Sequence, residues 1–258
     1  VRRLLLLCLL AFGLLSVSLP AQAIVRGKPA SISDYPWMAS VQRGGGQWCG
    51  GTVITSRWIL TAAHCVVDTS KQGLPPFSVS GFTVVTGRTK LSSAGGQVRG
   101  VTSAIAHPGF QGEGSGNDAA LLYLDAPITA PRITLSTSAY DFLERSGTAV
   151  RATGWGDTTG VGLLSSDSLR QVDLKVVSDH ACGKKYTMDT TKVCAKGLVK
   201  DTCYGDSGGP LFGYVSGRAI QIGIVSYGFQ CAVPGFPGVY SEVNSNSIRT
   251  WIKTTTGV

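Results

Sequence analysis

Histidine is scarce in this chain: three in 258 residues, His64, His107 and His180. A catalytic base of that type therefore has three candidates and no more. Metal-site spacing is missing too. No Cys-x-x-Cys pair and no His-Glu-x-x-His run occurs, which removes the common structural and hydrolytic zinc motifs. Beyond the N-terminal segment no apolar run approaches the roughly 20 residues that a spanning helix needs. Helix-like segments do not alternate with strand-like ones, which argues against an α/β fold. Internal repeats and linkers of biased composition are absent as well.

What is present begins with an export signature. Arg2 and Arg3 supply a basic start, Leu4 to Leu15 an apolar stretch, and Ala21-Gln22-Ala23 an A-x-A cleavage site, so residues 1–23 read as a secretory signal peptide. The apolar run is broken by Gly13 and ends near Leu19-Pro20, too short for a membrane anchor. Removing it takes two of the 23 Lys and Arg against 15 Asp and Glu, lowering the formal charge from +8 to +6. These charges are scattered, the pattern of a solvated surface rather than a nucleic-acid face. Cys8 leaves as well. The six remaining cysteines are an even set in an exported protein and point to disulfides, with 15 pairings open to them.

Short β-rich runs recur between Gly, Pro and Ser clusters: 37–41, 51–55, 58–62, 82–86, 119–124, 172–177, 220–225 and 239–243. That is an all-β signature. One helix is expected at 245–255, where Ile248, Trp251 and Ile252 recur at helical spacing, and a short one near Ser178 or Asp179. The rest fits two antiparallel barrels, the first over about 24–135 and the second over about 136–243.

The chemistry concentrates in Gly205-Asp206-Ser207-Gly208-Gly209-Pro210, where one hydroxyl stands among small residues that let a substrate approach. Serine is a weak nucleophile until a base takes its proton and a third group orients that base. His64 lies in Thr61-Ala62-Ala63-His64-Cys65, and Asp118 opens the apolar run Ala119 to Leu122, as a carboxylate entering a buried strand would. The order is His, Asp, Ser. Gly205 to Gly209 also matches the G-x-S-x-G elbow of α/β-hydrolases, but that elbow needs its histidine after the serine, and the last one here is His180. An Asp, His, Ser order using Asp34 would belong to an α/β fold that this chain lacks.

With Ile24-Val25, Gly154-Trp155-Gly156, Asp201 to Pro210 and Pro237-Gly238-Val239-Tyr240 also in order, the chain resembles the trypsin-type members of the chymotrypsin family of serine proteases over nearly all of residues 24–258. The resemblance implies two six-stranded Greek-key β-barrels with the active site in the cleft between them. It implies a triad of His64, Asp118 and Ser207, with Ser226 bonded to the aspartate and the backbone amides of Gly205 and Ser207 forming an oxyanion hole. Disulfides are implied between Cys49 and Cys65, Cys182 and Cys194, and Cys203 and Cys231. Asp201 would sit on the floor of the S1 pocket between open walls at Gly228 and Gly238, favouring a substrate Arg or Lys. His107 and His180 read as structural imidazoles.

Three positions depart from the pattern. Tyr227 stands where tryptophan is usual, Arg26 replaces the first glycine after Ile24-Val25, and the segment 87–97 lacks the acidic cluster of a calcium site. In the resembling family a freed isoleucine ammonium pairs with the aspartate before the nucleophile, here Ile24 with Asp206. Because Ala23 and not Arg or Lys precedes Ile24, signal cleavage itself is expected to expose that terminus. The function so implied is a secreted endopeptidase acting through an acyl-enzyme on protein or peptide substrates. It would be monomeric, with protein protease inhibitors as partners, and without cofactor, metal, nucleic acid or membrane anchor. A catalytically silent binding protein would usually have lost a triad residue, and all three are here.

Overall fold

The structure, a computed structural model, describes residues 24–160, Gly162 and 165–258; the expected signal peptide, 1–23, lies outside the described residues. A two-residue strand β1 (Lys28–Pro29) precedes β2 (Met38–Arg43), β3 (Gly46–Val53), β4 (Trp58–Thr61), β5 (Phe82–Thr86), β6 (Gln97–Ala106) and β7 (Ala120–Leu124). Strands β2 to β7 close into a barrel in the order β2-β3-β4-β7-β6-β5. There follow β8 (Thr134–Leu135), β9 (Ala149–Gly154), β10 (Arg170–Val177), helix α1 (Asp179–Cys182), β11 (Lys192–Lys196), β12 (Pro210–Val215), β13 (Arg218–Tyr227), β14 (Gly238–Glu242) and helix α2 (Asn246–Thr256). Six of these strands pair antiparallel round a second ring, β9-β10-β11-β14-β13-β12 and back to β9. The all-β fold of two six-stranded barrels and a C-terminal helix is the one the sequence implies.

Period-two patterning explains the strands. In β10, Val172, Leu174 and Val176 are buried while Asp173 and Lys175 are exposed, so one face enters the second barrel's core with Leu211, Ile222 and Tyr240. In β7, Ala120, Leu121 and Leu122 are all fully buried, because one face fills the first barrel and the other is covered by packing outside it. Helix α2 starts where the Ser245 hydroxyl accepts the Ile248 amide and stops at Gly257, whose φ of 81° is costly for other residues. Ile248 and Ile252 anchor it in the core.

The barrels meet along a close seam. A Cβ on Gly50 of β3 would stand 2.9 Å from the Gly209 Cα, so the backbones can approach only without a side chain there. Across the same seam the Thr52 hydroxyl donates to the Gln221 side chain at 2.8 Å, fully buried. Both ends of the first-barrel segment are strand-paired to the second barrel: β1 with β10, and β8, in parallel, with β13.

Candidate active site

His64 occupies a 3-10 turn, Ala63–Cys65, directly after β4, and the disulfide Cys49–Cys65 ties that turn to β3. Its ring Nδ1 lies 2.7 Å from Asp118 Oδ2, and its backbone amide donates to Asp118 Oδ1 at 3.0 Å. The Ser226 hydroxyl donates to the same Oδ2 at 2.6 Å. Since a carboxylate only accepts, the neutral ring carries its proton on Nδ1 and keeps a lone pair on Nε2. Asp118 is 3% exposed. Burial alone would push its carboxyl up, but the His64 charge and the three hydrogen bonds together hold it below the ordinary range. For His64, burial opposes the charged ring, and Asp118 outweighs it, raising the imidazole pKa.

Ser207 is presented by a turn locked from both sides. Its carbonyl accepts the Gly50 amide at 2.7 Å, and the Gly208 amide donates to the Val225 carbonyl at 2.8 Å. Gly205 and Gly208 hold φ of 86° and 79°, the left-handed region that favours glycine, and a Cβ on Gly208 would collide with the Thr61 hydroxyl. His64, Ser207, Gly205, Asp201, Gly228 and Gly238 all line one cleft of about 470 Å³.

Asp201 is 4% exposed and accepts two backbone amides, from Thr202 at 2.9 Å and Ala232 at 3.3 Å. Burial pushes its carboxyl up to about 7 despite these bonds. The walls beside it carry no side chains. A Cβ on Gly238 would stand 3.1 Å from Asp201 Oδ1, whereas one on Gly228 would meet nothing closer than 3.8 Å and would simply narrow the space. The disulfide Cys203–Cys231 joins the segment before the nucleophile to this wall, and Cys182–Cys194 joins α1 to β11.

Asp206, next to the nucleophile, points away from the cleft lining and is fully buried. Its two oxygens accept the amides of Gly156 at 2.8 Å and Cys203 at 2.9 Å, and burial, with Asp201 and Asp157 nearby, raises it to about 7. Any side chain at Gly154 or Gly156 would strike it. Among the described residues no Lys, Arg or His forms an ion pair with Asp206. Ile24 is fully buried in the second barrel's core, and Val25 makes a β-bridge with Asp201. Arg26 sits at φ 55°, a conformation that suits the glycine it replaces.

His107 and His180 are elsewhere: His107 packs edge-on against Trp251 of α2, and His180 lies in α1. The tightest His, Cys, Asp or Glu grouping among the described residues is Cys49, His64 and Cys65, whose two sulfurs are bonded to each other. The cleft also gathers residues that sequence reasoning passed over, among them Gln47, Trp48 and Glu113. Gln47 and Trp48 look like ordinary strand residues, and only the glycine-rich run 112–116 marks Glu113 as lying on a loop.

These features define a two-barrel serine hydrolase whose cleft holds a buried carboxylate. A family model described as Trypsin matches residues 24–252. Trypsin alpha-4 of Lucilia cuprina is 36% identical, over 89% of this chain and 86% of its own. Trypsin alpha of Drosophila melanogaster and trypsin beta of Drosophila erecta are each 34% identical, over 90% and 89% of this chain respectively and 87% of their own. The chain belongs to the trypsin family of serine proteases.

Proposed function

We propose that this protease is secreted and cleaves peptide bonds after Arg or Lys. The observation that carries the specificity is Asp201, a nearly buried carboxylate between glycine walls, with two backbone amides and, among the described residues, no ion pair. A buried charge is costly unless paired, and a substrate guanidinium or ammonium supplies the pair.

Catalysis follows the family's route. The Ser207 Oγ bonds to the scissile carbonyl carbon as its proton passes to His64 Nε2, and the oxygen that becomes negative is held by the amides of Gly205 and Ser207. Collapse breaks the C–N bond, and the His64 proton goes to the leaving amine. Water, deprotonated by the same ring, then hydrolyses the acyl-enzyme. Asp118 keeps the imidazole in the productive tautomer and balances its charge. Turnover of matched peptide amides with Arg, Lys, Phe or Ala before the scissile bond, together with organophosphonate labelling at Ser207, tests this reading. Preference for Phe or Ala would overturn the specificity; failure to label would overturn the nucleophile.

Maturation is the second half of the proposal. Cleavage after Ala23 removes the signal peptide and frees the Ile24 ammonium, which pairs with Asp206. The buried carboxylate of Asp206, which makes no ion pair among the described residues, and the burial of Ile24 in the second barrel's core support this. An α-amino group titrates near pH 8 unpaired, at about 7.7–8.0, and pairing raises that value in the folded enzyme. Stabilisation of the active form is then full below the unpaired pKa and is lost as pH rises through the raised one. N-terminal sequencing of the exported enzyme decides: a mature chain that starts before Ile24 and is fully active would refute it. The mature enzyme acts as a monomer, and protein protease inhibitors are its expected binding partners.

A further inference from the structure

Gln47 extends from β3 of the first barrel to the edge of the cleft, and both polar atoms of its amide are hydrogen-bonded. Its Oε1 accepts the hydroxyl of Ser40, a fully buried residue of the neighbouring β2, at 2.5 Å. Its Nε2 donates to the Cys49 carbonyl at 2.9 Å and, across the seam, to the Gly205 carbonyl at 3.1 Å. Both of those partners only accept, so the amide has one orientation.

The Gly205 bond matters because of where it falls. The peptide unit between Gly205 and Asp206 is held at both ends: its N–H donates to the Cys203 carbonyl at 2.9 Å and its C=O accepts from Gln47. One unit earlier, the Tyr204 carbonyl accepts the Asp157 amide at 2.5 Å, while the Gly205 N–H has no acceptor among the described residues. Gly205, at φ 86° and without a Cβ, offers little steric resistance to rotation. Its orientation must come from the hydrogen bonds on either side. Resting on the reading that Gly205 and Ser207 donate to the oxyanion, we infer that Gln47 is a positioning residue of the oxyanion hole, a first-barrel side chain that aims a second-barrel amide.

Removing an oxyanion donor outright costs about 10²–10³ in kcat. Gln47 acts one peptide away through one neutral hydrogen bond, so its loss should cost about tenfold. The experiment compares wild type, Gln47→Leu, Gln47→Glu and Ser40→Ala in two measurements. One is the rate of organophosphonate labelling of Ser207, which needs the oxyanion amides but no basic side chain. The other is the dissociation constant of benzamidine, which fills the Asp201 pocket alone. Gln47→Leu should label about tenfold more slowly. Gln47→Glu should be slower still above the carboxyl pKa, because its carboxylate faces two carbonyl oxygens. Benzamidine affinity should stay within about twofold in both. Ser40→Ala, which leaves Gln47 in place, should slow labelling about threefold, and it decides the matter if the Gln47 variants fail to fold. Labelling within twofold of wild type, or benzamidine affinity falling in parallel with labelling, overturns the inference. A wild-type enzyme that does not label at all counts against the Ser207 reading instead.

Discussion

Replacing Asp201 by Ser is the most demanding test of the pocket. On the proposed specificity, a substrate guanidinium entering beside Asp201 loses water and gains a carboxylate that is itself 4% exposed. In Asp201→Ser the same cation is buried with no counter-charge, and removing one partner of a buried pair costs about 3–5 kcal/mol. At about 1.36 kcal/mol per decade that is roughly 10²–10⁴ in kcat/KM. The glycine walls are untouched, so a Phe amide should gain relative to Arg. The assay is kcat/KM at pH 8 on matched Arg, Lys and Phe amides; an Arg-to-Phe ratio within tenfold of wild type would refute the reasoning. The carboxyl at about 7 adds a signature in pH. As pH falls through that value the free pocket protonates and loses its attraction, so KM for Arg substrates should climb between pH 8 and 6, while Asp201→Asn shows a flat KM. For stability the sign is reversed. A raised carboxyl contributes stability that is full below its unfolded pKa and lost as pH rises through 7, so Asp201→Ser should raise Tm at pH 8 and not at pH 4.

Ser207→Ala and His64→Ala should each reduce amidase turnover by roughly 10⁴-fold or more while Tm and benzamidine binding hold; more than trace activity in either would break the triad assignment. Gly208→Ala should destabilise by roughly 2–3 kcal/mol, since it combines a left-handed φ with a collision against Thr61, and a denaturation midpoint equal to wild type would contradict that packing. Glu144 is pushed up to about 8 by burial and by Glu242 and Asp141, and Glu242 to about 7 by burial and by Asp179 and Asp141. Both lose their contribution to stability as pH rises from the ordinary carboxylate range through these values. Glu144→Gln should therefore match wild type in Tm at pH 4 and exceed it at pH 9; an equal Tm at both would remove the coupling.

The strands that sequence made legible are the apolar ones: all eight expected runs overlap barrel strands. Four barrel strands escaped, each for a physical reason. Strand β6 mixes Gly100 and polar residues with its apolar positions, and only Val101 of its ten residues is buried. Strand β12 opens on Pro210, and β9 is interrupted by Arg151, which pairs with Asp173. Strand β11 begins with Lys192, a residue expected outside, which is 3% exposed because its ammonium meets Asp189 and the carbonyls of Gly114 and Thr187. The pairing of His64 with Asp118 was legible because these residues lie beside a half-cystine and an apolar run. Gln47 was not, since its importance lies in two carbonyls and a hydroxyl that only the folded seam brings together.

The pairing of β1 with β10 and of β8 with β13 constrains how the enzyme can meet its substrates. A pair of barrels joined by one strap could gape like a clam; here the first barrel is fastened at both of its chain ends. No single backbone joint can swing it open without stripping strand hydrogen bonds from the other barrel. The width of the cleft is thus decided when the chain folds. The burden of adaptation then falls on the substrate: a segment that can extend and leave its own fold should thread between the barrels more readily than one held in a packed domain.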